Sequence, residues 1–481
     1  MPSSSPSFRY EELAGFIAGL IDRGTLPPGS RVPSLREISR QRRTSVTTAL
    51  QAYRLLEDRG VLEARPQSGF YVAKAAVAIA APRPSRPPAR PREIALPAVM
   101  LKLLEHASDP KLVPLGCAIP SPQLLASGRL DRSLARAARI KGVQHNIYTP
   151  PRGDASLRRE IARRALRWGQ ALSPDDVLIA CGCTEALSLA LRAVTQPGDT
   201  VAIESPTYFG LLLVLQSLGL KALELPTDAQ HGVDVEALRS ACRSRAISAC
   251  VLSSSFNNPL GCTIPEARKL EVLALLAKHR VPLIEDDIYG DIGFGAERPR
   301  PFIALDTHEN TLYCSSFSKT IAPGYRIGWV ATGARFMPRV IDARVASTLC
   351  SPVLPQLALA EFLSSGGYDH HLRRIRGVFR ETLHRMVRAV NQSFPADTRI
   401  SQPAGGFVLW IELPKPVDTT QLFAEALEHG ICFAPGVVFS ASGRYTHCLR
   451  LSGGYGWSPR IDKGLRMLGA LAQRPSSLRP G

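Results

Sequence analysis

Apolar residues fall at Leu13, Phe16, Ile17 and Leu20 within residues 10–21, the spacing that lines one face of a helix. Pro27-Pro28-Gly29 is expected to stop it. Ser34 stands as an N-cap before Leu35-Arg36-Glu37-Ile38, with Glu37 in the capping-box position, so a second helix begins there. After a basic break at Gln41-Arg42-Arg43, Ser45 opens a third helix carried by Val46, Leu50, Tyr53, Leu55 and Leu56. Residues 61–72 then read as strand, turn, strand, with Gly69 at the bend. Beyond Ala98 the pattern changes. Helical stripes alternate with short β-branched runs at residues 177–180, 200–203, 247–253, 281–284 and 312–315. Such alternation predicts an α/β unit with a mostly parallel sheet covered by helices and ligand groups at the strand ends.

Between the two patterns, residues 74–97 are rich in Ala, Pro and Arg, centred on Pro82-Arg83-Pro84-Ser85-Arg86-Pro87-Pro88. Proline at that density forbids helix and favours extended polyproline II, about 3.1 Å per residue, so this stretch is expected to be a semi-rigid, solvated spacer. The division is then residues 1–73, a linker at 74–97, and a large unit at 98–475 whose smaller C-terminal part begins near residue 345. The formal charge of +18 points to an anionic partner, nucleic acid first. Residues 1–97 hold 15 Lys and Arg against 8 Asp and Glu, so positive charge is densest at that end. The ten cysteines are scattered singly, and Cys181 with Cys183 has neither zinc-ligand nor Cys-x-x-Cys spacing. No metal site is expected, and reduced thiols suit a cytoplasmic protein. The start lacks a signal-peptide layout, and the longest apolar run, residues 209–215, is far below the ~20 residues of a membrane span, so no membrane partner is expected.

The N-terminal pattern resembles the winged helix-turn-helix of the GntR regulators. The match rests on Leu26-Pro27-Pro28-Gly29, Pro33-Ser34-Leu35-Arg36-Glu37, Ser45-Val46-Thr47-Thr48 and Ser68-Gly69-Phe70-Tyr71-Val72. Residues at the start of a helix laid in the major groove reach base edges, while hydroxyls and arginines hold phosphates. Arg36, Ser45, Thr47, Thr48 and Gly69 are the expected DNA-binding residues. Where the family often has glycine at the turn and arginine after the first serine, this chain has Arg43 and Val46. Arg43 therefore joins the candidate DNA contacts.

The densest chemistry lies in residues 311–330, Thr-Leu-Tyr-Cys-Ser-Ser-Phe-Ser-Lys-Thr-Ile-Ala-Pro-Gly-Tyr-Arg-Ile-Gly-Trp-Val. Ser316 and Ser318 offer hydroxyls, Arg326 a fork that suits phosphate, and Lys319, kept from bulk water, an amine nucleophile. The order Ser-x-Ser-Lys, Pro-Gly, Arg-x-Gly resembles the Schiff-base segment of fold-type I, aminotransferase-like pyridoxal 5'-phosphate (PLP) proteins. At Cys181-Gly182-Cys183-Thr184-Glu185 a strand gives way to a helix, so free N–H groups and the Thr184 hydroxyl suit a phosphate; the family often has serine where Cys183 stands. The resemblance further implies that Tyr208 stacks on the cofactor ring, that Asn258 of Asn258-Pro259-Leu260-Gly261 and Tyr289 hold its phenolic oxygen, and that Asp286 pairs with the ring nitrogen. Asp287 is the residue most easily confused with Asp286. Tyr148 resembles the tyrosine that reaches the neighbouring subunit's phosphate, which implies a homodimer with shared sites. Arg450 falls where the family clamps a substrate carboxylate.

A GntR-like winged helix joined to fold-type I large and small domains resembles the MocR-type subgroup of GntR regulators. That resemblance implies a PLP-dependent transcription regulator acting on a double-stranded DNA operator and sensing an amino compound or PLP. The alternative is a working aminotransferase with an accessory or vestigial DNA-binding domain, because the catalytic groups are present in full.

Overall fold

The capping signals around Ser34 are realised in full. In the computed structural model, which describes residues 9–58, 61–65, 68–72, 80–106, 109–140 and 146–474, α1 (Arg9–Asp22), α2 (Leu35–Arg42) and α3 (Val46–Asp58) precede a β-hairpin of β1 (Leu62–Arg65) and β2 (Gly69–Val72). Ser34 N–H donates to Glu37 Oε2 at 2.7 Å, and Glu37 N–H donates to Ser34 Oγ at 3.3 Å. The chain divides into two units, Met1–Ala80 and Ala81–Gly481. The first is centred on Leu13, Ile17, Ile38, Tyr53, Leu56 and Leu62, with the Tyr53 hydroxyl donating to Pro33 O at 2.6 Å. The stop for α1 comes earlier than Pro27-Pro28-Gly29. Gly24, at φ +74°, turns the chain so that Gly24 N–H and Thr25 N–H close back on Ile21 O and Leu20 O.

The second unit begins with α4 (Val99–Glu105), β3 (Val113–Pro114), α5 (Ser127–Ile140) and α6 (Ala155–Ala165). Its main sheet contains β4 (Val177–Ala180), β5 (Thr200–Ser205), β6 (Lys221–Asp228), β7 (Gly232–Val233), β8 (Ala249–Leu252), β9 (Leu283–Asp286), β10 (Thr311–Ser316) and β11 (Gly328–Ala331). Their spatial order is β4-β11-β10-β9-β8-β5-β6-β7. The run β10-β9-β8-β5-β6 is parallel, as the alternation predicted, while β11 returns antiparallel beside β10. Helices α7 (Cys183–Val194), α8 (Phe209–Ser217), α9 (Val235–Arg243), α10 (Glu266–His279), α11 (Met337–Ser347) and α12 (Val353–Ser364) follow or flank these strands. The long α13 (Gly367–Ser393) leads to a smaller sheet. That part holds β12 (Arg399–Ile400), β13 (Val408–Glu412), α14 (Thr419–Glu428), β14 (Ile431–Cys432), β15 (Ala434–Pro435), β16 (Cys448–Ser452) and α15 (Pro459–Gln473). The strands of the main sheet are buried on both faces, which is why they read as continuous apolar runs.

The proline-rich stretch departs from its reading as a solvated spacer. Residues 81–97 lie along the second unit. Ser85 N–H donates to Thr227 O at 3.1 Å and Ser85 Oγ accepts from Thr227 N–H at 2.7 Å, while Arg92 and Ala222 exchange two backbone bonds of 2.9 Å. Arg83 N–H donates to Glu412 Oε2 at 2.9 Å, and Arg399 donates to Ala81 O at 3.1 Å. An extended, proline-bearing segment is what a sheet edge accepts, since the missing N–H groups can face away from the ladder.

Candidate functional site

Strand ends of the main sheet and one strand of the small sheet converge on a cavity of about 350 Å³. The β10–β11 connection supplies Ser318, Lys319 and Arg326, β9 ends in Asp286, β5 leads into Tyr208, and β16 carries Arg450. Asn258, Tyr289, Cys183 and Thr184 complete the set expected from sequence at this wall.

Lys319 Nζ donates to Ala118 O at 2.6 Å. Burial lowers its pKa to about 8, and the positive charge of Arg450 adds to the effect. The amine is thus far easier to deprotonate than an ordinary lysine. Asp286 is pushed up to about 6 by burial, partly offset by the Cys183 thiol, which donates to Oδ1 at 3.5 Å. Asp287, next in the chain, points elsewhere: its carboxylate is fully buried against Arg298 Nη2 at 2.5 Å and the Tyr313 hydroxyl at 3.1 Å. The alternation of a strand end separates the two acids, one for the cavity and one for the core.

Opposite Asp286 the backbone prepares an anion cradle. Helix α7 starts at Cys183 with Gly182 as N-cap and no side chain satisfying its first N–H groups. Gly182 has φ +84°, and a Cβ there would lie 2.5 Å from Arg326 Nη2. Only glycine lets this guanidinium, which also donates to Cys181 O at 3.0 Å, stand at the helix end.

Four buried polar atoms around the cavity lack a hydrogen-bond partner: Asn258 Oδ1, Tyr289 Oη, and Arg450 Nε and Nη1. Burying such groups unpaired costs about 1–3 kcal/mol each, so their convergence marks a place built for a polar ligand. The orphaned acceptor, hydroxyl and guanidinium, the buried acid and the cradle fit a phosphorylated, heterocyclic aldehyde.

Two expected residues lie elsewhere. Ser316 is buried at the end of β10, where its Oγ accepts Ser318 N–H at 3.1 Å and holds the loop rather than reaching the cavity. Tyr148 is 81% exposed and outside the cavity. Conversely, Glu204 lines the cavity unanticipated. Its pKa is pushed up to about 8 by burial, and it accepts Ser253 N–H at 2.9 Å and Asn257 Nδ2 at 3.1 Å. The motif Glu204-Ser205-Pro206-Thr207-Tyr208 carried that signal, but its tyrosine is the more conspicuous residue. Cys117 and Ala118 also reach the cavity from a loop with no distinctive pattern.

In the first unit, Arg36, Arg43, Ser45, Thr47 and Gly69 are exposed. Ser45 Oγ accepts Thr48 N–H at 3.0 Å and pairs with the Thr48 hydroxyl at 2.8 Å, so these two hydroxyls cap α3. Arg43 occupies the left-handed C-cap of α2 at φ +49°, a position that favours glycine.

Comparisons with known proteins agree with this fold. Residues 124–455 match Aminotransferase class I and II, and residues 9–72 match Bacterial regulatory proteins, gntR family. The chain is 40% identical over 466 residues to the HTH-type transcriptional regulator YdcR of Escherichia coli, covering 97% of this chain and 99% of that one. It is 30% identical over 373 residues to a 2-aminoadipate transaminase of Thermus thermophilus, covering 76% and 92%. Among solved structures, LysN, the α-aminoadipate aminotransferase of Thermus thermophilus complexed with N-(5'-phosphopyridoxyl)-L-leucine, aligns with a TM-score of 0.73. The identity there is 28%, over 78% of this chain and 95% of that one. The Pyrococcus horikoshii kynurenine aminotransferase in complex with PMP aligns with a TM-score of 0.74 at 25% identity, over 80% and 96%. Fold and matches together define a gntR-type winged helix-turn-helix joined to a fold-type I aminotransferase-like unit. The chain belongs to the MocR-type HTH transcriptional regulators.

Proposed function

We propose that this regulator binds an operator in double-stranded DNA through its winged helices and senses an amino compound at PLP held on Lys319. The observation that carries the cofactor is the set of orphaned polar atoms around an amine of lowered pKa. When bound, PLP supplies an aldehyde that condenses with amines and a ring that accepts electrons. In the chain itself, Asp286 would keep the ring nitrogen protonated, while Asn258 and Tyr289 would hold the phenolic oxygen. Tyr208 would cover the ring, and Thr184, Ser318, Arg326 and the start of α7 would take the phosphate. Arg450 would orient a carboxylate of the effector. Tyr148, exposed on one chain, fits a role at a partner's site in a homodimer.

Residues 81–97 give the signal a route. Thr227, clasped by Ser85, also receives Ser205 N–H on its hydroxyl at 3.2 Å, and Ser205 stands three residues before Tyr208 in the cavity. Arg83 and Ala81 are tied to the small sheet through Glu412 and Arg399. A shift of that sheet toward an effector on Arg450 would therefore pull on the segment that leads to the DNA-binding unit. The test is an absorbance titration with amino compounds alongside binding to duplexes selected from random sequence. An amine that alters the cofactor band and changes operator affinity supports the reading; a band that changes with no change in affinity for any amine refutes sensing.

The pH dependence of cofactor capture follows from Lys319. Only the neutral amine attacks an aldehyde, so the initial rate of trapping PLP with borohydride should rise about tenfold per pH unit below about 8 and level off above it. A rise continuing toward pH 10 would mean an ordinary lysine. A second reading, sustained transamination, is favoured by Arg450, which faces the same cavity as Lys319 with two unpaired nitrogens. Keto-acid production over many turnovers without selective DNA binding would support it.

A further inference from the structure

Charge remains unexplained by the cavity. Residues 127–168 hold 11 Lys and Arg against 3 Asp and Glu, and α13 holds 6 against 2, so these stretches carry the whole positive surplus beyond residue 97. On α5, Arg129, Arg132, Arg136 and Arg139 recur at spacings of three, four and three, which sets them on one face. All four are exposed, while Leu130, Ser133 and Ala137 turn inward on the side that packs on α12. Arg136 shares Glu361 at 3.3 Å. Arg129, Arg132 and Arg139 have no ion-pair partner among the described residues.

Neighbouring helices extend the face. Arg374 of α13 donates to Leu124 O just ahead of α5 at 2.7 Å, and Arg164 of α6 and Arg167, in the turn just after it, both reach Asp369 of α13, at 3.2 and 2.5 Å. Arg159 of α6 and Arg373 and Arg380 of α13 are exposed as well. Like charges one turn apart repel and weaken a helix, so a row of them is costly unless something anionic lies against it. The α5 row covers about 15 Å at ~1.5 Å per residue, a length over which duplex DNA presents about nine negative charges. Guanidinium forks suit phosphate oxygens, and regular spacing suits a repeating backbone better than the irregular surface of an acidic protein.

We propose that the arginine row of α5, extended by α6 and α13, is a second, sequence-independent contact for the phosphate backbone of duplex DNA. The proposal rests on the reading of the chain as a DNA-binding regulator. It is tested with full-length protein and a mixed-sequence 60-base-pair duplex, by measuring affinity against salt. The variant Arg129→Ala/Arg132→Ala/Arg139→Ala is compared with Arg192→Ala/Arg243→Ala/Lys278→Ala, which removes equal charge from exposed sites on other helices. Each lost phosphate contact should reduce the slope of log K against log salt by about 0.9, so the α5 variant should lose about 2 to 3 units and the other variant almost none. An unchanged slope in the α5 variant, or equal losses in both, would overturn the proposal. If the wild-type chain binds no duplex at all, the DNA-binding reading falls and this proposal with it; wild-type binding with an unaltered α5 variant removes this proposal alone.

Discussion

Lys319→Ala is expected to abolish covalent retention of PLP while leaving the fold in place. The wild-type amine is buried, its pKa is lowered to about 8, and it makes one hydrogen bond, to Ala118 O. Alanine removes the nucleophile and that single bond, a change in stability of about 0.5–1.5 kcal/mol in either direction once the relief of a buried charge is counted. The absorbance band of the protein-bound cofactor should be absent in the variant, and borohydride should fix no label to it. Amine effectors should lose their influence on DNA binding, because they would have no internal linkage to displace. A variant that still shows the band and still fixes the label would place the linkage on another amine.

The adjacent acids give the second large effect, and each shows it in a different measurement. Asp287→Ala should lower the stability of the aminotransferase-like unit by about 3–5 kcal/mol, since it removes the carboxylate at Nη2 and leaves the buried Arg298 guanidinium with Asp291 as its remaining carboxylate partner among the described residues. Asp286→Ala removes no ion pair within the chain, only the hydrogen bonds from the Cys183 thiol and the Ile288 backbone, so the fold should tolerate it. Its cost should appear in the cofactor: losing a charged hydrogen bond to the ring nitrogen is worth about 1.5–3 kcal/mol, roughly ten- to a hundredfold in PLP affinity. Denaturant unfolding and dialysis of the cofactor separate the two variants. If Asp287→Ala is as stable as the wild type, or Asp286→Ala holds PLP as tightly, the roles assigned to the pair are wrong.

Much of this was legible because a parallel sheet presents its functional groups where an apolar run ends. Lys319, Asp286 and Tyr208 each stand just past such a run, and the Gly182 turn sits at the switch from strand to helix. The capping box at Ser34 is a local device, so three residues sufficed to read it. What could not be read depends on distant partners. Proline-rich residues 81–97 have the same local preference in water as against a sheet, and only Thr227, Ala222 and Glu412, far along the chain, decide between them. Ser316 and Ser318 look equivalent in the sequence, yet one holds the loop and the other lines the cavity. Glu204 stands in the motif that also carries Tyr208, but that motif does not name the groups that receive its carboxylate, because Ser253 and Asn257 come from another strand end.

Peptide mapping after reduction tests the central claim most directly. Purified full-length protein is mixed with PLP, treated with borohydride and digested, and the peptides are weighed. The account predicts one phosphopyridoxyl adduct, on Lys319, formed at a single equivalent of cofactor. No adduct, or label spread over exposed lysines with Lys319 unmodified, would contradict it.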